Sequence, residues 1–260
     1  NYTGHGFGTV AELVDAAAAA KLGAIAVTEH YPMSAAMDPE NVVSMAWDRL
    51  PDYLIDIAAA AAAHPEMQVV PGCEVDWLGA QEGRDFSALD FSNFIHVLGS
   101  VHYLDEWAFD DPAQEPHWHD VGVDSVWRRY FEVWCQAASC TDMPFTCMAH
   151  PDLVKKFGYR PSFNPQALYD EAAEAVQSSG RMVEVNTSGL TYPCAELFPA
   201  PDLLRTFCRA GIPCSIGTDA HEPALVDRNL MPGLAAMYDA GYRCVTVPTP
   251  TGDRRQIALE

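Results

Sequence analysis

Ile212-Pro213-Cys214-Ser215-Ile216-Gly217-Thr218-Asp219-Ala220-His221 is a short apolar run that gives way to a polar loop, and a helix-like segment opens just beyond it at Pro223. An Asp and a His two residues apart, where a strand becomes a loop, can face one small volume. They suit a metal ion, because Asp offers a hard oxygen and His a borderline nitrogen. One such pair is weak by itself. Its weight comes from the same event at the ends of other predicted strands.

Working outward, residues 3–8 form a loop by their three glycines. Thr9-Val10-Ala11-Glu12 is a capping box opening a helix to about residue 22, and Gly23 ends it. A strand over 24–28 stops at Glu29-His30. A helix over 48–63 places His64 at its C-terminal end, and Pro65 closes it. Segments 67–70 and 73–75 make the next strand, which carries Glu74. Residues 76–93 read as polar and irregular, and 94–101 as a strand ending in His102. A long acidic loop covers 105–124, then a helix covers 125–139. A strand over 145–149 ends at His150-Pro151-Asp152, and Asn164-Pro165 opens a helix to about residue 179. A strand over 182–185 runs into Asn186-Thr187-Ser188-Gly189. A helix over 201–210, the strand 212–216, a helix over 223–240 and a strand over 243–247 complete the chain.

Strands alternate with helices throughout, and most are near-continuous apolar runs. That pattern predicts a parallel sheet covered by helices. No linker or composition shift divides the chain, so one domain over 1–260 is expected. No Gly-rich phosphate loop follows a strand, as an open doubly wound sheet would favour. A barrel explains better why polar residues recur at strand after strand end.

Fifteen basic against 36 acidic residues give a net charge of −21. This argues against a nucleic-acid or anionic-membrane surface. A small anionic substrate stays compatible, since bound divalent cations invert the local field. No apolar run reaches the roughly 18 residues that a membrane span needs. The opening Asn1-Tyr2-Thr3-Gly4-His5 does not read as a signal peptide. Eight cysteines without a C-x-x-C pair read as reduced thiols of a cytoplasmic protein, not a zinc-thiolate site.

Five predicted strands finish in a possible metal ligand: His30, Glu74, His102, His150, and Asp219 with His221. Any one could be a cap or a satisfied polar side chain. Together they predict a centre for several divalent ions at the barrel mouth, with Glu74 the natural bridge. The His5 loop would open onto the same mouth. His96 shares the parity of His102 but lies deeper, which favours a core role. His64 suits a helix C-terminus, and His117 and His119 fall in the acidic loop, outside the site. Lys155, Lys156 and Arg160 cluster after His150. If that loop covers the mouth they would grip an anion, Arg160 bidentately. Metals plus a basic loop suggest phosphate. No G-x-S-x-G elbow, P-loop or marked cysteine nucleophile appears, so hydrolysis by metal-bound hydroxide fits better than covalent catalysis.

Gly4-His5-Gly6, Thr28-Glu29-His30, Gly72-Cys73-Glu74, Gly99-Ser100-Val101-His102, Ala149-His150-Pro151-Asp152, Glu184-Val185-Asn186-Thr187-Ser188-Gly189 and Gly217-Thr218-Asp219-Ala220-His221 stand in this order along nearly the whole chain. Together they resemble the PHP superfamily, and within it most of all the histidinol-phosphate phosphatases. The resemblance implies a distorted (β/α)7 TIM-like barrel with three divalent ions, commonly Zn, Fe or Mn. It implies His5, His30 and His221 around one ion, Glu74 bridging the other two, His102 and His150 on one of these, and Asp219 on the other. Glu74, Asp219 and His221 would serve catalysis, and Arg160 matches an arginine that contacts substrate phosphate. The implied reaction is hydrolysis of L-histidinol phosphate to L-histidinol and phosphate, in histidine biosynthesis. The rival readings are a PHP phosphoesterase for another small phosphomonoester or nucleotide, and a non-catalytic PHP-like binding protein. One departure stands out. The superfamily opens with a His-x-His strand, whereas His5 matches its third histidine. The pair and the first barrel strand are therefore expected before Asn1, with residues 243–247 outside the barrel.

Overall fold

The computed structural model describes residues 2–79 and 90–259. Helix α1 (Val10–Ala19) begins at the expected capping box: the Thr9 side chain accepts from the Glu12 N–H, and Glu12 accepts from the Thr9 N–H at 2.8 Å. There follow β1 (Ala24–Val27), α2 (Leu50–Ala63), β2 (Gln68–Asp76), β3 (His96–Ser100), β4 (Tyr103–Leu104), β5 (Trp107–Ala108), α3 (His117–Val121) and α4 (Val123–Ser139). Then come β6 (Cys147–Met148), α5 (Gln166–Ser179), β7 (Met182–Asn186), α6 (Pro201–Arg209), β8 (Cys214–Gly217), α7 (Leu230–Ala240), β9 (Cys244–Pro248) and β10 (Arg254–Ala258).

Six strands form one curled, parallel half-barrel in the order β1-β2-β3-β6-β7-β8. Every residue of β3 and β7 is buried, as expected for strands covered on both faces. Outside the sheet, α1 packs on α2, α4 on α5, α5 on α6, and α6 on α7. The sequence pattern shows why α4 docks. Trp127, Tyr130, Phe131 and Trp134 recur at helical spacing and are all buried, each contributing about 1.5–3 kcal/mol of transfer free energy. One apolar cluster runs from Tyr2 through these residues to Val245.

Because the strands run parallel, their C-terminal ends share one rim, and the half-barrel matches the α/β barrel expectation. Among the described residues no strand pairs with the outer side of β1 or of β8. Both edges line a cleft of about 430 Å³, whose walls include Ile25, Val27, Ile216 and Val245.

Some expectations change. The helix predicted over 223–240 is a 3-10 turn (Pro223–Leu225) followed by α7, with Asn229 at φ 57° between them. The Arg228 guanidinium donates to the Thr218 carbonyl at 3.0 Å, and Thr187 Oγ1 donates to the Arg228 carbonyl at 2.6 Å. This segment is held to the Asp219 loop instead of continuing a helix. The acidic stretch 105–124 is not one loop. It contains β5, a 3-10 turn (Pro112–Gln114), α3 and the start of α4. Trp118 anchors it, fully buried and donating from Nε1 to the Phe109 carbonyl at 2.8 Å. Of the irregular segment predicted over 76–93, residues 80–89 lie outside the described residues, and Asp76 belongs to β2. β9 pairs antiparallel with β10, a strand the pattern did not reveal, and hydrogen-bonds with no strand of the half-barrel.

Candidate metal centre

Strand β2 carries the centre. Glu74 is buried, and its Oε1 meets His150 Nε2 at 3.0 Å and His102 Nε2 at 3.7 Å. Five imidazoles form an arc along the rim. Ring centroids are 5.1 Å apart for His221 and His5, 5.5 Å for His5 and His30, 5.6 Å for His30 and His102, and 4.9 Å for His102 and His150. The His5 loop is tied in twice: the Phe7 N–H donates to the His221 carbonyl at 2.7 Å, and His5 Nδ1 lies 3.1 Å from the Val42 carbonyl.

The loops bend sharply to aim these groups. His150 has φ 23° and Asp219 φ 52°, in a region costly for residues with a Cβ. The His150 N–H donates to Glu184 Oε2 at 3.0 Å, which holds its turn, and Ser188 Oγ donates to Asp219 Oδ2 at 3.3 Å. His221 Nδ1 stands 3.0 Å from the Asp219 carbonyl and 3.5 Å from Asp219 Oδ1.

The electrostatics follow from carboxylates and imidazoles sharing a dry volume. Burial works against a charged His30, but Glu74 and Asp76 outweigh it and raise it to about 10. His150 is raised to about 9: burial opposes the charge, while the hydrogen bond and charge of Glu74 dominate. Burial works against the Glu74 carboxylate too, yet His30, His150 and His102 together hold it well below the usual range. His5, by contrast, is lowered by burial.

These residues fit divalent cations. Donor atoms of Glu74, His102 and His150 lie within 4.8 Å of one another, as do those of His30, Asp76 and His102. His150 Nδ1 is buried without a hydrogen-bond partner, and the cluster is a nitrogen–oxygen donor set of the kind that zinc and its neighbours take.

Of the residues singled out in the sequence, His5, His30, Glu74, His102, His150, Asp219 and His221 therefore come together. Arg160 does not stand in this arc. It meets Glu196 Oε2 at 3.2 Å over a separate cleft of about 410 Å³ lined by Trp127, Lys155 and Arg205. Its basic neighbours are also paired, Lys155 with Asp152 at 2.9 Å and Lys156 with Asp110 at 2.8 Å. His96 is buried beside Thr146 Oγ1 at 3.1 Å, in the core role expected of it. Two carboxylates were given no role in the sequence reading, although Glu184 stands in one of the segments that carry the resemblance. Asp76, two residues after Glu74, contacts both His30 and His102, and the period of a strand was the available signal. Glu184 is raised to about 7 by burial, partly opposed by His150. A charge inside the apolar run Met182–Asn186 could have marked it.

Known proteins resemble this chain in sequence or in fold. A "Probable histidinol-phosphatase" of Deinococcus radiodurans is 32% identical over 245 residues, 94% of this chain and 92% of that protein. A histidinol phosphate phosphatase of Lactococcus lactis subsp. lactis, solved with zinc, L-histidinol and phosphate, superposes with a TM-score of 0.78 at 20% identity, over 98% of this chain and 95% of its own. A Listeria monocytogenes protein provisionally named histidinol phosphatase hisK gives 0.80 at 20% identity, over 89% and 96%. At that identity the two structures speak for the fold alone. Residues 1–188 match the PHP domain, and with the Deinococcus relative covering nearly the whole sequence, this chain belongs to the PHP domain family.

Proposed function

We propose that this chain is a divalent-metal-dependent phosphoric monoester hydrolase that converts L-histidinol phosphate into L-histidinol and phosphate, as a single domain over residues 1–260. The observation that carries the reading is Glu74, a buried carboxylate faced by His102 and His150 and flanked by His30. The relative matched over nearly the whole sequence supports the substrate. Bound divalent ions would supply Lewis acidity toward phosphoryl oxygens and bring the pKa of water toward about 7. Zn, Fe or Mn at up to three positions suits the donor set, with His5, His30 and His221 holding one ion and Glu74, His102, His150 and Asp219 the others.

The protein's own contribution is placement. The half-barrel rim fixes the donors, and the bent turns at His150 and Asp219 point them inward. Asp219 and His221 would serve catalysis, as candidates for passing a proton to the leaving alkoxide. Arg160, the expected phosphate contact, pairs with Glu196 over the neighbouring cleft, so to bind the phosphate it would have to leave Glu196 and reach the rim, an arginine being suited to a bidentate anion. The acidic surface fits a small phosphate ester better than nucleic acid, and a cytoplasmic site of action suits a biosynthetic enzyme. Among the described residues no helix is long and apolar enough to cross a membrane.

The test is phosphate release by the full natural chain supplied with zinc or manganese, across a panel of phosphomonoesters. Release from L-histidinol phosphate far exceeding that from nucleotides and sugar phosphates is the expected result. Preference for another ester would discard the substrate and keep the hydrolase. Inactivity with every metal and ester would discard both.

A further inference from the structure

Asp76 follows Glu74 by two residues on β2, so both side chains project from one face of the strand. Its carboxylate is almost wholly buried, at 1% exposure, and divides its oxygens between two imidazoles. Oδ2 lies 3.2 Å from His30 Nδ1, and Oδ1 lies 2.6 Å from His102 Nδ1. The other nitrogen of His102, Nε2, faces Glu74 Oε1 at 3.7 Å. One imidazole arrives from the end of β1 and the other from the end of β3. No lysine or arginine pairs with Asp76 among the described residues; the two histidines are its polar partners.

We infer that Asp76 is a positioning residue that sets two imidazoles at once. It accepts Nδ1–H from both His30 and His102, fixes both in the same tautomer, and leaves each Nε2 unprotonated, with its lone pair available to a divalent ion. A carboxylate behind a ligating imidazole orients the ring and raises its basicity, and losing it costs about 10- to 100-fold in metal affinity. Here one carboxylate does this for two ligands assigned to different ions, so the ions' affinities are coupled through Asp76. The alternative is that Asp76 is itself a ligand, because donor atoms of His30, Asp76 and His102 lie within 4.8 Å of one another. The geometry disfavours it. Both Asp76 oxygens already face Nδ1 atoms, and a cation between Asp76 and His102 would have to break the 2.6 Å contact. The inference rests on the metal-centre reading and adds a role that reading does not contain.

The experiment uses the full natural chain, stripped by a chelator and titrated with zinc against a chromophoric competitor. Cobalt(II) absorption then reports the ligand field. Asp76→Asn keeps the volume but has one accepting oxygen, and its NH2 would confront the second imidazole. The expected result is zinc affinity weaker by about 10- to 100-fold with the number of ions unchanged, and a shifted cobalt spectrum. Asp76→Asn with wild-type affinity and spectrum overturns the inference. So does loss of one ion with the rest at wild-type affinity, which would make Asp76 a ligand. A second measurement needs no variant: long-range proton–nitrogen NMR of the zinc-loaded wild type. Protons on Nδ1 of His30 and His102 support the role, and protons on Nε2 overturn it. Wild-type protein that takes up no zinc removes the metal-centre reading itself, a failure visible before any variant is made.

Discussion

His30 and Glu74 are partners in an isolated parallel β-bridge beyond the end of β1. The Tyr31 N–H donates to the Glu74 carbonyl at 2.7 Å, and the Glu74 N–H donates to the Glu29 carbonyl at 3.0 Å. Two backbones thus stay in register where the chain is about to leave the sheet. The site inherits the rigidity of the strands, and Glu74 enters the centre from ordered backbone rather than from a loop.

Glu74→Gln therefore tests the centre with little change in shape. The variant removes the negative charge that His30, His102 and His150 surround, while keeping an oxygen near His150. Turnover is expected to fall by at least about 100-fold, the order seen when one group stabilising developing charge is removed. Metal content measured by elemental analysis should fall with it. A variant with full activity and full metal content would exclude a bridging carboxylate at this position.

Stability of the metal-free protein should fall as pH rises above neutrality. His30 at about 10 and His150 at about 9 stand above the ordinary histidine value of about 6.5. Between about 6.5 and 9–10 the folded state holds more protons than the unfolded state, so unfolding becomes easier with rising pH. The stabilisation is complete below about 6.5 and is lost through the folded-state values. Urea midpoints of chelator-stripped protein at pH 6.5 and 9.5 measure this, and an equal or higher midpoint at 9.5 would refute it. Zinc should invert the trend, since its ligands must shed those protons and affinity rises over the same window.

The sequence disclosed the half-barrel because apolar runs and caps are local signals: Thr9 and Glu12 cap α1 as the pattern required. It disclosed the candidate ligands, which the fold brings together, because a parallel sheet puts every strand's C-terminal end on one rim. The roles of Asp76 and Glu184 were missed because a carboxylate beside or inside a strand carries no sign of what it will touch. Asp76 acquires its role from histidines 46 and 26 residues away. The break at Asn229 was missed for a related reason, as Arg228 is diverted by carbonyls of the Asp219 loop. Side-chain pairing across loops is a property of the fold, not of any window of sequence.

Gly217 is required by Glu184. A Cβ at Gly217 would lie 2.0 Å from Glu184 Oε1, and Glu184 is fixed by the His150 N–H and by Asn186 Nδ2 at 3.2 Å. Gly217→Ala should destabilise the fold by about 1–3 kcal/mol, the usual range for overpacking. The cost should shrink when Glu184→Ala is already present, because neighbours sharing a clash are not additive. Equal costs in the two backgrounds, read from urea unfolding, would show that this contact is not the constraint.

Lys155 and Asp152 form an ion pair with both side chains at 0% exposure. Lys155 Nζ also donates to the Leu197 carbonyl at 2.7 Å, and Asp152 Oδ2 accepts from the Ala200 N–H at 2.8 Å. Burial raises Asp152 to about 6, with Lys155 pulling the other way. Lys155→Met keeps the aliphatic stem and strands the carboxylate, so a loss of about 3–5 kcal/mol is expected. The exposed pair Arg49–Asp52 provides the contrast, and Arg49→Met should change stability by less than about 1 kcal/mol. Similar losses for the two variants would mean that the buried pair is not acting as one.

Arg160 offers the sharpest test of how substrate enters. Its guanidinium is 42% exposed and held by one contact to Glu196, which also lies 2.9 Å from Lys155 Nζ. Glu196 therefore keeps a cation partner when Arg160 leaves, so exchanging the Arg160–Glu196 pair for an arginine–phosphate contact is inexpensive. Arg160→Ala should raise KM by about 10-fold or more and weaken inhibition by inorganic phosphate to the same extent, the scale of one lost charge-assisted hydrogen bond. Arg205→Ala, across the same cleft and paired with Asp202, should leave both values unchanged. If Arg160→Ala alters neither KM nor phosphate inhibition, the phosphate is held elsewhere. Lys156, raised by Asp110 and Asp219 against the effect of burial, is then the cation to replace next.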